Sequence, residues 1–368
     1  MNYPKYILRI LFSSFFSLLL VACSSDDKVS YKIPYVVSDV ASGMKFDWST
    51  HKRLAQGSDN WAVTWGDGDQ QILTWGDGGG FGGSNYDGRV SLGVAALSGT
   101  LENFTYQNLW GGKNALEDIN FKGKSYALLM VDDELLMWVS PGSDSDNYLS
   151  TQLYILESEA REWKKINWKF TLEDKLVIPA FLQFGSNYRG SRDDYIYVYF
   201  IAPKNDEDLE VQKPGEIYLT RVPKNKVRHR DQYEFFLGLD DTEGAVWGKD
   251  LQLKQPVFYD PEGVGWTVSV SYNTELKRYI LMTEHGTSFD SNLGVFESRE
   301  PWGPWKTIHY EKFAEDVIQE TVFYYNFSNR WSNGSDFVML FSGIKENDSW
   351  NAVRGSFITR DAKINNEP

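Results

Sequence analysis

Short apolar or alternating runs recur along this chain from Trp61 to Thr359, bounded by Gly, Asp, Asn or Pro, with almost no helical periodicity between them. The backbone of such runs is satisfied by strand pairing, so the pattern predicts an all-β protein. The runs group into about five units. The first covers Trp61–Leu97 and ends in Val90–Ala96. The second holds Tyr126–Val131, Glu134–Val139, Gln152–Glu157 and Trp163–Phe170. The third holds Ala180–Phe184, Tyr195–Ile201, Glu216–Val222 and Tyr233–Gly238. The fourth holds Gly265–Tyr272, Tyr279–Glu284, Leu293–Glu297 and Trp302–Tyr310, and the fifth Val322–Phe327, Phe337–Ser342 and Ala352–Thr359.

These units are weakly self-similar, with Trp163–Trp168 and Trp302–Trp305 late in theirs. Four-strand repeats spaced by roughly 50–80 residues suggest propeller blades, and the length suits five blades better than seven. Ile33–Trp48 is expected to close the ring against the last blade. A two-sheet sandwich is the structural alternative.

The segment Asp59–Gly83 carries the most chemistry. Trp61–Trp65 and Gln71–Trp75 form a tryptophan-rich hairpin, and each arm ends in Trp-Gly-Asp-Gly. Asp59 opens the first arm. Asp77 closes the second on Gly78-Gly79-Gly80-Phe81-Gly82-Gly83. Paired carboxylates beside flat aromatic faces suit a sugar ring, acids for the chemistry and rings for stacking. Asp67-Gly68 is sufficiently explained as a hairpin turn.

Residues 1–22 read as a leader. Lys5 and Arg9 flank the start of an apolar run, Ile10–Ala22, that is short for a permanent membrane span. The run ends in Leu20-Val21-Ala22-Cys23, which resembles the lipobox of bacterial lipoproteins. That resemblance implies cleavage before Cys23, lipidation there, and anchoring to the membrane. Residues 23–32 become a tether, and Ser24 favours the outer membrane, facing the periplasm or the cell surface. Cys23 is the only cysteine, so no disulfide or thiol chemistry is expected after processing. Residues 33–368 are expected to form one domain, acting as a monomer.

Without Lys5 and Arg9, 35 Lys and Arg face 51 Asp and Glu, a formal charge of −16. Such a surface repels nucleic acid and disfavours strongly anionic polysaccharides. Aromatic residues make up 15% of the chain and tryptophans number 14, a composition that serves packed cores and carbohydrate surfaces alike.

Several fragments resemble a family of five-bladed bacterial propellers that includes endo-acting D-arabinanases. They are Asp59-Asn60-Trp61 with Trp75-Gly76-Asp77, Arg192-Asp193-Asp194-Tyr195-Ile196-Tyr197, Ser269–Asn273, Leu276–Tyr279 and Pro301-Trp302-Gly303-Pro304-Trp305. The resemblance spans most of the chain beyond the leader and implies a five-bladed β-propeller. It also implies a catalytic pair of aspartates on the first blade, at positions matched by Asp59 and Asp77. The Gly78–Gly83 run departs from the arabinanase pattern, which makes it the expected seat of substrate preference.

A glycosidase needs one protonated and one ionised carboxyl. Asp59 and Asp77 are the first candidates, their roles open, and Asp194 is a third. Trp65, Trp75, Phe81, Arg192, Tyr272 and His285 are the expected substrate-binding residues. Three of the candidates also have a structural reading: core packing for Tyr272, a blade-to-blade contact for Arg192, a strand-opening turn for Asp194. No metal or cofactor is expected. Asp144-Ser145-Asp146-Asn147 and Asp67-Gly68-Asp69 lack the rest of an EF-hand loop. No His pair has zinc spacing, and neither a phosphate loop nor a Gly-x-Ser-x-Gly elbow is present. The same residues leave open a polysaccharide lyase using His285 or Tyr272 with Arg192, and a glycan-binding lipoprotein presenting Trp65, Trp75 and Trp110.

Overall fold

The computed structural model describes residues 31–141, 149–157, 160, 162–203, 210–318, 320–343 and 348–360. Contacts divide the chain into residues 1–30 and 31–368, and all described residues belong to the second unit. The leader, Cys23, most of the tether and Asp144-Ser145-Asp146-Asn147 lie outside the described residues.

Strands carry nearly all the regular backbone, and the only helical pieces among the described residues are four 3-10 turns. Strand β1 is Ala41–Leu54. Blade 1 follows as β2 (Val63–Trp65), β3 (Gln70–Gly76), β4 (Leu92–Gly99) and β5 (Phe104–Trp110). Blade 2 is β6 (Gly123–Val131), β7 (Glu134–Pro141), β8 (Ser150–Leu156) and β9 (Lys164–Thr171). Blade 3 is β10 (Val177–Gln183), β11 (Tyr195–Ile201), β12 (Gly215–Pro223) and β13 (Glu234–Leu239), with β14 (Ala245–Gly248) and β15 (Pro256–Asp260) added outside. Blade 4 is β16 (Val268–Asn273), β17 (Arg278–Thr283), β18 (Asn292–Ser298) and β19 (Lys306–Lys312). Blade 5 is β20 (Val322–Phe327), β21 (Asp336–Gly343) and β22 (Trp350–Thr359). Each blade is an antiparallel meander running outward from its first strand. This is the five-bladed β-propeller, not the sandwich.

The inner strands contact one another in sequence around the ring. Met130 N–H donates to Thr64 Oγ1 (2.9 Å) and Gln183 Nε2 to Leu128 O (2.8 Å). Strands β10 and β16 pair in parallel at Leu182–Val270 and Gln183–Ser271. Ser269 Oγ donates to Tyr325 O (2.7 Å), and Asn326 Nδ2 to Trp61 O (3.2 Å). Strand β1 then pairs along β22, from Ala41–Thr359 to Leu54–Trp350. The closing strand thus exists, set several residues later than Ile33–Trp48.

Aromatic rings fill the middle of the ring. Tyr126, Trp266, Phe323 and Tyr324 come from blades 2, 4 and 5, are all buried, and pack together. Tyr324 Oη donates across to Tyr126 O at 2.8 Å. The Pro301–Trp305 turn docks blade 4 on blade 3, with Trp305 Nε1 donating to Val257 O (2.9 Å) and Tyr199 Oη to Pro301 O (2.6 Å).

Strand β1 is the sole partner of the outer edge of β22, and an unpaired edge templates association. Deleting residues 31–54 is therefore expected to abolish the single cooperative unfolding transition and to produce oligomers. Size-exclusion chromatography with thermal unfolding checks this; a monomer of unchanged Tm would contradict closure by β1.

Candidate active site

Asp59 sits where blade 1 begins. Its backbone pairs with Gly76 in both directions, N–H to O at 2.9 Å and O from N–H at 2.8 Å. This extends the inner edge of the blade beyond β2 and brings Asp59 beside the end of β3, where Asp77 follows. Asn60, at φ 58°, turns the chain there and donates from Nδ2 to Asp59 Oδ1 at 2.9 Å. Gly76 leaves room for both side chains: a Cβ there would lie 2.8 Å from Asp59 Oδ1, so the carboxyl would have to shift, and 3.4 Å from Lys124 Cδ.

Asp77 adopts φ 54° and ends β3 with its carboxylate between two cations. Lys124 Nζ, from the start of β6, lies 2.5 Å from Asp77 Oδ1, and Arg89 Nη2 lies 3.3 Å from it. The lysine is nearly buried, whereas Asp77 keeps 29% of its side chain exposed. Asp348, just before β22, completes the group, its carbonyl accepting Gly57 N–H. All three aspartates are half-buried residues.

Their environments differ. Burial pushes the Asp59 carboxyl well above the ordinary range, and the Asp348 charge pushes it further, with Lys124 opposing. Burial also raises Asp348, with Asp77 adding to the effect. Like charges this close cannot all ionise without cost. The arrangement therefore favours a proton on Asp59, beside an Asp77 that is ion-paired to Lys124 and Arg89. Asp348, Lys124 and Arg89 were not anticipated from sequence. Lys124 had a signal, a cation opening an otherwise buried strand; Asp348, two residues before β22, had none.

The other expected site residues divide. Trp75 and Phe81 are buried in the packing around blade 1 and offer no face to a ligand, a correction to their expected role. The glycine run wraps Trp75: a Cβ on Gly80 would lie 2.4 Å from its ring, and one on Gly78 2.1 Å from Gly57 O. Asn108 pins the run by accepting Phe81 N–H and donating to Phe81 O (3.2 and 3.0 Å). His285 is fully buried and stacked on Tyr310 with ring centres 3.5 Å apart. Burial pushes its pKa down to about 3, so it stays neutral, and it too is corrected as a sugar contact.

Trp65, Arg192, Asp194 and Tyr272 belong to the opposite end of the ring. Trp65 ends β2, six residues beyond Asp59, or up to about 20 Å of extended chain. Tyr272 lies near the far end of β16, and Asp194 precedes β11 at the far end of β10. Asp194 is exposed, its carbonyl accepting Lys224 N–H at 2.9 Å. Arg192 lies over Tyr272 (5.5 Å to the ring centre) and donates to Tyr279 Oη (3.3 Å) and Arg299 O (3.2 Å), a contact between blades 3 and 4. None of these four joins the aspartates. Among the described residues, no cluster of three or more His, Cys, Asp or Glu could hold a metal ion.

The Asp59 shift has a thermodynamic consequence. A carboxyl whose folded pKa exceeds its unfolded value of about 3.9 holds its proton more tightly in the native state, so native stability declines as pH rises between the two values. Asp59→Asn removes that decline and keeps an acceptor for Asn60. The variant is expected to melt above the wild type at pH 7–8, with the gap closing toward pH 4; Tm measured across pH checks this.

Neither a protein-family profile nor a curated sequence matches the chain. Its fold resembles that of a protein from Bacteroides ovatus described, provisionally, as a hydrolase: TM-score 0.52, 12% identity, 82% of this chain and 87% of that one covered. More distant are a GH43_1 enzyme from Xanthomonas citri complexed with xylotriose (TM-score 0.49, 10% identity, 83% and 90% covered) and an exo-β-1,3-galactanase from Phanerochaete chrysosporium (TM-score 0.45, 9% identity, 84% and 63% covered).

Proposed function

We propose that this protein is a glycoside hydrolase acting on an external polysaccharide or oligosaccharide. The observation that carries the reading is the contrast between two neighbouring carboxyls: Asp59, half-buried with its pKa raised, and Asp77, held between Lys124 and Arg89. Two acids in different environments take different roles. Asp59 is the proton donor to the leaving oxygen. Asp77 is the carboxylate that activates water or attacks the sugar carbon directly. The Asp348 charge favours the proton on Asp59, with Lys124 opposing, and Lys124 and Arg89 hold the Asp77 carboxylate in place.

The lipobox at Cys23 fits this role, since an outer-membrane anchor would hold the enzyme where polymers too large to enter the cell arrive. Elimination is less well supported. Arg192 and Tyr272 stand together at the far end of the ring, but His285 is buried beyond the opposite end of β17.

Release of reducing ends from a panel of plant, algal and bacterial polysaccharides tests the reading. Asp59→Asn and Asp77→Asn are each expected to lower kcat by about 10²–10⁴-fold, while Asp194→Asn stays near wild type. Unsaturated, ultraviolet-absorbing products, or full activity in the double Asn variant, would refute hydrolysis by this pair.

A further inference from the structure

At the end of the ring away from the carboxylates, the inner strands open into an axial cleft of about 260 Å³. Four blades line it: Trp65 from blade 1, Gly185 after β10, Ser271 and Tyr272 from β16, and Asn329 after β20. The packed rings of Tyr126, Trp266 and Tyr324 stand between the inner strands near their opposite ends. The cleft is therefore separate from the Asp59–Asp77 group.

Its chemistry is that of recognition. No Asp, Glu, His, Lys or Arg is among its described lining residues, so it has no acid–base pair. Trp65 and Tyr272 are half-exposed rings, and around them stand the hydroxyl of Ser271 and the amide of Asn329. Aromatic faces suit the C–H side of a sugar and amides its hydroxyls. Arg330, which is not among the lining residues, lies over the Trp65 ring, 5.6 Å from its centre. The volume lies just below the range of about 300–1,000 Å³ usual for ligand sites, which suits one or two sugar residues.

We propose that this axial cleft is a second, non-catalytic saccharide site that holds one or two sugar residues of a polysaccharide, with Trp65 and Tyr272 as stacking faces and Ser271 and Asn329 as hydrogen-bonding partners for its hydroxyls. That the ligand is the polymer hydrolysed at Asp59 and Asp77 rests on the function proposed above. Because the two sites open at opposite ends, the cleft grips a distal segment or a neighbouring chain and keeps the enzyme on its polymer.

Fluorine NMR of protein labelled with 5-fluorotryptophan reads the cleft directly, with the Trp65 resonance assigned by Trp65→Phe. The probes are xylotriose and soluble xylan, arabinan and galactan. At least one is expected to shift the Trp65 signal, in the wild type and equally in the Asp59→Asn, Asp77→Asn double variant. Tyr272→Ala is expected to weaken that binding by about tenfold while leaving cleavage of short oligosaccharides within about twofold. Asn329→Ala repeats the test without touching packed rings. A Trp65 signal unmoved by every probe, or a response unchanged by both cleft variants, overturns the proposal. A Trp65 response without hydrolysis of any glycan removes the hydrolase reading and leaves the saccharide site standing; hydrolysis with a silent Trp65 does the reverse.

Discussion

The pairing of β1 with β22 holds the rest in place. It joins the two ends of the described chain into one blade, and so fixes blade 5 beside blade 1. It also positions the chemistry, because Asp59 follows β1 by only five residues. The intervening Gly57 N–H meets the Asp348 carbonyl just before β22. One strand pair thus closes the ring and brings a carboxyl from each end of the circle into one cluster.

Within that cluster, geometry and charge are coupled through an absent atom. Gly76 lets Asp59 and the Lys124 stem lie against the backbone of β3 together. Burial raises Asp59, and a buried acid tolerates its position only when protonated or paired. Lys124 is paired with Asp77, so Asp59 is the one left to keep a proton.

Much of the fold was legible because inner and middle strands are buried on both faces and read as continuous apolar runs: Tyr195–Ile201 and Val322–Phe327 were placed to the residue. Outer strands were harder. Strand β5, Phe104–Trp110, shows solvent most of its residues and has little apolar pattern, and β14 is only four residues long. The candidate site was legible in its first half only. Asp59 and Asp77 stand out because strand-end acids flank an aromatic hairpin. Asp348 and Arg89 reach them through ring closure and loop folding, which leave no mark on local pattern.

The tryptophans show the same limit from the other side. Composition could not separate rings that pack from rings that bind, and the structure separates them by blade position. Trp61, Trp75 and Trp350 lie between blades 1 and 5 with no exposed face. Trp266 belongs to the packed rings at the middle of the ring. Trp65 shares the Trp-Gly-Asp-Gly sequence of Trp75, yet it ends the inner strand where no outer layer covers it. Identical local sequence therefore yields a core residue on the second strand and a half-exposed ring lining the cleft on the first, because Trp65 stands at the end of the innermost strand.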